Sequence, residues 1–404
     1  MVLFIIAIIL AVFFGATVLY TVVFSISAKF YKPEKSQNID KEFSSVAILI
    51  PAYKEDGVIV SVAKHMMTLD YPKDKYEVFV IADQLQADTL VSLKESGVNV
   101  VEVFFDKSTK AKSLNFCLDQ IDEDQFDMVL ISDADNLLAP NFLRKINTAF
   151  LEGAKVIQGR RVAKNLDSDY AILDAASEII NNHIFRKGPN GMGLSASLIG
   201  SGMAFDTREI KNALAEIKAI GGFDKVLQLN VIGRGHRISY LEDALVFDEK
   251  VSDSGNFKNQ RKRWLASQYI YLFKFLPKAT VQLLKGNVDY FNIAVLHNLF
   301  LPRVLNLGML FILMVLSIVL NDPNFLGFWL WVAFFNVYLL SLMVALPAKF
   351  FNKKLLVAVI SLPGAFFNMF LLLFRLKGAD KTFIHTQHNK TDIDNNLFTS
   401  DNEK

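Results

Sequence analysis

The stretch Asp127-Met128-Val129-Leu130-Ile131-Ser132-Asp133-Ala134-Asp135 decides the fold of this chain. Its apolar centre is typical of a buried strand, and two carboxylates follow where that strand ends. Because side chains two residues apart on a strand point to the same face, Asp133 and Asp135 are expected to point together. Neighbouring acids repel each other and are costly to bury, and a hard divalent cation would remove that cost. The stretch therefore predicts either a metal site or, more simply, an acidic turn.

Apolar segments of strand length alternate with helical patterns around this stretch. The predicted strands are 45–50, 77–82, 98–104 and 128–132, and the predicted helices are 59–67, 87–95, 110–118, 140–150 and 169–186. This alternation predicts an α/β fold with a mostly parallel sheet covered on both faces. Ligands of such sheets bind at the carboxyl ends of the strands. Four candidate groups fall there: 51–55, Asp83, the Lys110/Lys112 region and Asp133/Asp135.

The apolar residues are concentrated near the two ends of the chain. Hydrophobic residues make up 52% of the sequence and the mean hydropathy is +0.30, which is high for a soluble protein. Residues 1–28 carry no charge, which is long enough to cross a bilayer, and they lack the basic start of a secretory signal. We expect a retained N-terminal transmembrane helix, with Lys29, Lys32 and Lys35 on the cytoplasmic side.

Three more uncharged segments, at about 304–321, 323–348 and 355–374, predict a C-terminal transmembrane region over 304–376. The positive-inside rule contradicts itself at the last of them. Three crossings would leave the C-terminus outside, whereas Arg375, Lys377 and Lys381 favour an inside tail. Either one segment is re-entrant, or 289–303 contributes to a further crossing.

The polar block over about 40–258 has ordinary globular composition. A net charge of +2 gives no basic footprint, so no nucleic-acid partner is expected. The single cysteine, Cys117, excludes an intramolecular disulfide, as expected for a cytosolic domain, and its surroundings predict a packed helix position. The tail over 377–404 is polar.

Further motifs follow apolar runs, and each of them has a simpler structural explanation. Gly200-Ser201-Gly202 permits close backbone approach to a ligand, or is a tight turn. Glu242-Asp243 is expected at a strand end, as a pair of functional acids or a solvated corner. Gln260-Arg261-Lys262-Arg263-Trp264 begins a basic amphipathic helix over 260–275 that suits a membrane surface. There Arg263 can fork onto a diphosphate, and Trp264 can stack on a sugar ring.

The ordered set P-A-Y-K-E (51–55), Asp83, D-A-D (133–135), G-S-G (200–202), E-D (242–243) and Q-R-K-R-W (260–264) resembles membrane-embedded, inverting family 2 glycosyltransferases of the Q-x-x-R-W type. Cellulose, hyaluronan and poly-N-acetylglucosamine synthases and ceramide glucosyltransferase share this layout. The resemblance covers about 45–275 by motif. Lys54 departs from the usual Asn of P-x-Y-N-E, and Leu241 from the Thr of T-E-D.

The resemblance implies an A-type, Rossmann-like nucleotide-sugar-binding fold in a cytosolic domain over 40–258, followed by interfacial amphipathic helices over 259–303. It implies a general base at Asp243 beside Glu242, and Mg²⁺ or Mn²⁺ on Asp135, with Asp133 as second ligand or ribose contact. Asp83 would accept the N3–H of uracil, and Lys112 would contact a phosphate. The other implied substrate-binding residues are Pro51, Tyr53, Glu55, Gly200, Ser201, Gly202, Gln260, Arg261, Arg263 and Trp264.

The resemblance also implies the activity, a hexosyltransferase that moves a sugar from a UDP-sugar to a growing β-linked polysaccharide. Single transfer to a membrane lipid is the alternative. A transporter or scaffold is disfavoured because the apolar segments contain no charged residue. The expected setting is a bacterial inner membrane, with membrane lipids and periplasmic export proteins as partners. Residues 383–390 are similar to the F-x-V-T-x-K gating loop of cellulose synthases, with a disordered tail as the alternative.

Overall fold

The computed structural model describes residues 1–32, 42–215, 217, 221–250, 254–320, 326–374 and 390–393, with backbone only for 254–259. The strands are β1 Val46–Tyr53, β2 Tyr76–Asp83, β3 Asn99–Val103, β4 Met128–Ile131, β5 Leu137–Leu138, β6 Val156–Ala163, β7 Met203–Asp206 and β8 Ile238–Asp248. The first helices are α1 Val2–Ser27, α2 Ile59–Met66, α3 Ala87–Glu95, α4 Lys110–Leu118, α5 Phe142–Leu151, α6 Asp169–Asn181, α7 Gly188–Gly191 and α8 Thr207–Leu214. The later helices are α9 Phe223–Gly233, α10 Ser254–Leu284, α11 Val288–Phe291, α12 His297–Leu299, α13 Arg303–Leu320, α14 Phe328–Ala345, α15 Lys353–Ile360 and α16 Leu362–Leu373.

The eight strands form one sheet in the order β3-β2-β1-β4-β7-β6-β8-β5. The predicted strands and helices of the polar block are confirmed, and the sheet is mixed. Its first four strands are parallel, β7 is antiparallel to both neighbours, and β6 and β8 are parallel to each other. Ile131 at the end of β4 is therefore in register with Met203 at the start of β7. Consequently the D-A-D and G-S-G loops meet at one edge of the sheet.

The sheet is covered on both faces because β1 is apolar on both sides. Val46, Ile48 and Ile50 pack in a core with residues of α2 and α5. Ala47 and Leu49 pack in a second core with residues of α4 and α8. A strand buried on both faces reads as a continuous apolar run, as β1 does.

Within the described part of the chain, three helices are long and apolar enough to cross a membrane: α1, α13 and α14. The last predicted segment is instead a pair, α15 and α16, bent by 46°. Ala358 of α15 is buried in the first core of the globular domain. A Cβ on Gly308 of α13 would lie 2.2 Å from the ring of Phe366, so α16 packs directly on α13. A pair bent in this way fits a broken span or a re-entrant segment.

The end of α1 is fixed to both the globular domain and α14. The Ser27 hydroxyl donates a hydrogen bond to Gly188 O at 2.8 Å, and the Ser25 hydroxyl donates to Ser341 O at 3.1 Å. A Cβ on Gly188 would lie 2.5 Å from Phe24 O, so only glycine permits this approach. The first candidate span is thus joined rigidly to the domain that follows it.

A buried cluster of charges joins α6 to the sheet. The Glu178 carboxylate accepts hydrogen bonds from Arg161 at 2.8 Å and from Arg186 at 3.0 Å. Although burial opposes ionisation, the neighbouring Arg161, Arg186 and Lys250 hold the pKa of Glu178 well below its usual range. Removing one partner of such a cluster leaves buried charge without compensation.

Substitution Glu178→Gln is therefore expected to destabilise the protein by about 3–5 kcal/mol. The matched control is Glu102→Gln, because Glu102 pairs with Lys94 at 3.0 Å with both side chains more than half exposed. Exposed pairs contribute about 0–1 kcal/mol. Since the pKa of Glu178 is lowered on folding, its contribution is present above the ordinary carboxyl pKa and decreases as the pH falls. Thermal unfolding in detergent measures both variants, and equal losses would contradict the assignment.

Candidate functional site

The chain turns sharply where β1 and β2 end. Lys54 has a φ of 56° and Gln84 a φ of 57°, which non-glycine residues rarely adopt. Tyr53 is in register with Asp83, and the Lys54 amide donates to Asp83 O at 3.1 Å. Glu55 begins the turn into α2, where its carbonyl accepts from the Ile59 amide at 3.1 Å. The predicted loop after Pro51 thus lies directly beside Asp83.

The Asp83 carboxylate is buried at the end of β2. The residue is 1% exposed, and among the described residues neither carboxylate oxygen has a hydrogen-bond partner. Burial raises the pKa of Asp83, while Ser108 and Lys54 act in the opposite direction. Buried polar atoms in native proteins are normally satisfied, so this carboxylate suits a ligand that brings an N–H donor.

Lys110 joins the two loops that meet at the edge of the sheet. Its ammonium forms an ion pair with Asp133 and donates a hydrogen bond to Gly200 O at 2.6 Å. The Ser201 hydroxyl accepts from the Asp133 amide at 3.0 Å. Gly202 has a φ of 61°, and a Cβ there would lie 2.3 Å from Val246, so a side chain cannot be accommodated. The predicted G-S-G and D-A-D residues are therefore brought together.

Lys112, the predicted phosphate ligand, has its contacts elsewhere than at the junction of Lys110 with Asp133. Its ammonium donates to Lys107 O at 2.9 Å and lies 5.8 Å from the Phe105 ring centroid. Lys110, which is the first residue of α4, is the lysine of this region that contacts Asp133.

Asp135 is buried, and a second lysine holds its backbone. The Lys164 ammonium donates to the carbonyl oxygen of Asp135 and, at 2.8 Å, to Lys390 O. Lys164 is fully buried, and this burial lowers its pKa, while Asp135 and Glu249 act in the opposite direction. Sequence reasoning missed Lys164, since a lysine just after a strand gives no signal of burial.

The two acids fit a divalent cation that receives further ligands from a substrate. Asp133 and Asp135 offer carboxylate oxygens, which Mg²⁺ and Mn²⁺ accept. Among the described residues no group of three or more His, Cys, Asp or Glu side chains could hold a metal. A cation here would therefore be completed by oxygens of a bound diphosphate and by water.

Glu242 and Asp243 lie inside β8, so the prediction of a strand end there is wrong. β6 and β8 change register at this point, because Gly159 pairs with Leu241 and Arg160 with Leu245. The strand bulges at the two acids and then continues to Asp248, which the sequence pattern did not reveal. The bulge turns the two acidic side chains out of the regular ladder.

The two acids of the bulge have separate cationic partners. Glu242 pairs with Lys187 at 2.5 Å. Asp243 is exposed and pairs with Lys145 of α5 at 3.3 Å. Neither of these partners belongs to the junction of Lys110 with Asp133.

Asp224 lies beside that junction and was not predicted. It occupies the first turn of α9, next to Phe223, whose ring centroid is 5.1 Å from the Lys110 ammonium. Burial raises the pKa of Asp224, and Lys225 and Lys110 act in the opposite direction. In the sequence, the preceding Gly221-Gly222 resembles an ordinary turn, so Asp224 gave no signal of a functional role.

The Q-R-K-R-W residues lie on α10. Arg261 forms an ion pair with Asp174 of α6, and its guanidinium lies 4.6 Å from the Trp264 ring centroid. Arg263 is partly buried, which lowers its pKa. The Gln260 side-chain oxygen is buried without a hydrogen-bond partner among the described residues, and Trp264 is 40% exposed.

Helix α10 also braces the turn that precedes Asp224. The Tyr271 hydroxyl donates to Gly221 O at 2.5 Å, and a Cβ on Gly222 would lie 2.9 Å from the Tyr271 ring. The Q-R-K-R-W helix and the start of α9 are therefore packed as one unit.

Comparison with known proteins agrees with this geometry. Residues 44–267, more than half of the chain, match the family model described as "Glycosyltransferase like family 2". The chain is 23% identical over 336 residues to the probable glycosyltransferase YdaM of Bacillus subtilis (strain 168), with 78% of this chain and 76% of that protein covered. It also resembles mannosyltransferase PcManGT from Pyrobaculum calidifontis, with a TM-score of 0.51, 18% identity, and 84% of this chain and 99% of that one covered.

Proposed function

The chain belongs to glycosyltransferase family 2, and we propose that it transfers a hexose from a nucleoside-diphosphate sugar to an acceptor at a membrane. One observation carries this proposal. Asp83, whose carboxylate oxygens accept no hydrogen bond from the described residues, and the Lys110–Asp133 pair lie along the same edge of the sheet, where ligands of α/β folds bind. A nucleobase, a diphosphate and a cation have complementary groups at this edge.

Donor binding follows from the chemistry of these groups. The Asp83 carboxylate accepts the N3–H of uracil, which favours a UDP-sugar, with Tyr53 and Glu55 beside the nucleoside. Lys110 and the start of α4 offer positive charge to the diphosphate. Asp135 and Asp133 would hold Mg²⁺ or Mn²⁺, which offsets the charge of the leaving diphosphate when bound. The structure of the Pyrobaculum mannosyltransferase is of a complex with GDP-Man and Mn²⁺, which supports a donor and metal of this class.

Transfer would be a single in-line displacement. An acceptor hydroxyl attacks the anomeric carbon from the face opposite the diphosphate, the bond to the diphosphate breaks, and an enzyme carboxylate takes the hydroxyl proton. An α-linked donor then gives a β-linked product. Arg263 supports the departing diphosphate, and Trp264 offers an aromatic face to a sugar ring.

Asp224 is the better candidate for the base than Asp243. Its raised pKa brings it closer to the range in which a carboxylate accepts a proton effectively, and it lies beside Phe223 and Lys110. Asp243 is exposed and paired with Lys145. The proposal therefore moves the role of base from the predicted Glu242-Asp243 pair to Asp224.

Substitution Asp224→Asn is expected to lower kcat by about 10²–10⁴-fold, because the acceptor proton loses its base. The affinity for UDP should stay within about threefold, since the base contacts the acceptor side. Asp243→Asn is the control and should keep kcat within a few fold. Turnover by UDP release and UDP binding by calorimetry measure both variants. The opposite ranking of the two variants would restore Asp243 as the base.

The proposed topology puts the globular domain and the C-terminal residues on the cytoplasmic side. The N-terminal span over 1–28, the catalytic domain over 40–258, the interfacial helices over 259–303 and the C-terminal membrane region over 304–376 are kept as proposed boundaries. Two contacts support an inside tail: α15 packs on the globular domain, and Lys390 pairs with Asp167 at 3.0 Å. The proposed location is the bacterial inner membrane.

The acceptor that the packing favours is a membrane lipid. The Trp331 and Tyr338 side chains of α14 are buried between helices, and a Cβ on Gly15 of α1 would lie 3.2 Å from Phe334. Helices in such close contact favour a lipid presented from the side over a glycan threaded between them. A polysaccharide acceptor is the second candidate, favoured by the exposed Trp264 on an interfacial helix. The proposed gating loop over 383–390 lies outside the described residues except for Lys390.

Product analysis separates these acceptors. The full-length protein in nanodiscs of mixed lipids would receive labelled UDP-glucose, UDP-N-acetylglucosamine or GDP-mannose with Mn²⁺. We expect label in the organic phase, at the mass of one lipid plus one hexose. Alkali-stable polymer retained on a size-exclusion column would support the second candidate. Transfer from none of these donors, with UDP and GDP both failing to bind, would contradict the proposed function.

A further inference from the structure

Lys164 is a fully buried lysine in contact with backbone carbonyls at the edge of the donor site. Its ammonium donates to the carbonyl of Asp135 and to Lys390 O at 2.8 Å. Its own amide donates to Asp248 O at 2.8 Å, which fixes it to the end of β8. A buried ammonium without hydrogen-bond acceptors is costly. Because these two carbonyls supply acceptors, they hold the Lys164 ammonium in place.

The C-terminal residues 390–393 are held over Lys164 by contacts of their own. The Lys390 amide donates to the Glu249 carboxylate at 3.0 Å, and the Lys390 ammonium pairs with Asp167 at 3.0 Å. Ile393 packs against the first core of the globular domain. The Lys390 carbonyl is therefore presented to Lys164 by a segment that lies far away in the sequence.

Asp135 is connected to the rest of the site through a short loop. The Asn136 amide donates to Asp133 O at 3.1 Å, and the Asn136 side chain donates to the Ser201 hydroxyl at 2.6 Å. Lys164 supports the backbone of this loop at Asp135 from the side of β6 and β8. Loss of that support would free the peptide that carries the Asp135 carboxylate.

We propose that Lys164 is a positioning residue that fixes the orientation of Asp135, and that the docked segment 390–393 completes this support. The inference rests on the proposed function, in which Asp135 binds the cation of a nucleotide-sugar diphosphate. It assigns a role to residues 390–393 of the C-terminal tail. The C-terminus thereby becomes part of the donor site, through one hydrogen bond to a buried lysine.

Substitution Lys164→Met tests the proposal, because methionine has a similar length and no donor. We expect Mn²⁺ affinity of the UDP complex, measured by electron paramagnetic resonance, to fall at least tenfold, and Lys164→Arg to recover part of the loss. The apparent Mn²⁺ affinity of Lys164→Met should be reduced by a larger factor than its kcat at saturating Mn²⁺. Without metal, hydrogen exchange at the Asn136 amide should accelerate. Lys155→Met is the control. Lys155 lies just before β6, is about half exposed and pairs with Asp206.

The outcomes distinguish this inference from the proposed function. If the unaltered protein with UDP does not bind Mn²⁺, the proposed function fails. If it binds, but Lys164→Met binds equally and exchanges equally at Asn136, the positioning role is wrong. If Lys164→Met does not fold, Glu249→Ala decides, because it removes the acceptor of the Lys390 amide and leaves Lys164 in place. That variant should loosen 390–393 in hydrogen exchange and weaken Mn²⁺ binding, and unchanged Mn²⁺ binding would overturn the proposal.

Discussion

The ion pair between Lys110 and Asp133 is the interaction on which the rest of the site depends. It connects the start of α4, the loop after β4 and, through Gly200 O, the loop before β7. Without a cation at this point, Asp133 and Asp135 would repel each other in a partly buried setting. A positive charge is therefore built into the edge of the sheet where an anionic ligand and its metal would bind. The two glycines on either side of Ser201 both have a positive φ, and a Cβ on Gly202 would clash with Val246.

Helices α10 and α12 hold the region around Asp224. Tyr271 of α10 fixes the turn before Asp224, and Lys225 donates to the Asn298 side chain at 2.8 Å, next to α13. Arg261 ties α10 to α6 through Asp174. The acid proposed as the base is thus attached to helices, whereas the proposed donor-binding groups are attached to the sheet.

The sequence predicted most of the fold, since period-two and period-3.6 apolar patterns report burial directly. It was less reliable wherever the position of a candidate side chain depended on the residue at which a helix or strand begins or ends. Lys110 and Lys112 both lie in the first turn of α4, and Lys110 contacts Asp133 whereas Lys112 donates to Lys107 O. Glu242 and Asp243 lie in a bulge within β8, which no pattern signalled. The last apolar segment had suitable length and apolarity for a span, but in the structure it is the bent pair α15 and α16, and α15 packs on the globular domain.

We propose that the donor diphosphate binds where Lys110 contacts Asp133. Calorimetric titration of UDP with Mn²⁺ into Lys110→Met and Lys112→Met variants tests it most directly, with thermal unfolding as the check that both are folded. A lost charge-assisted hydrogen bond of about 1.5–3 kcal/mol corresponds to a loss of affinity of about tenfold or more. We expect UDP affinity to fall by about tenfold or more in Lys110→Met and to change within about twofold in Lys112→Met. Unchanged UDP affinity in a folded Lys110→Met variant would contradict it.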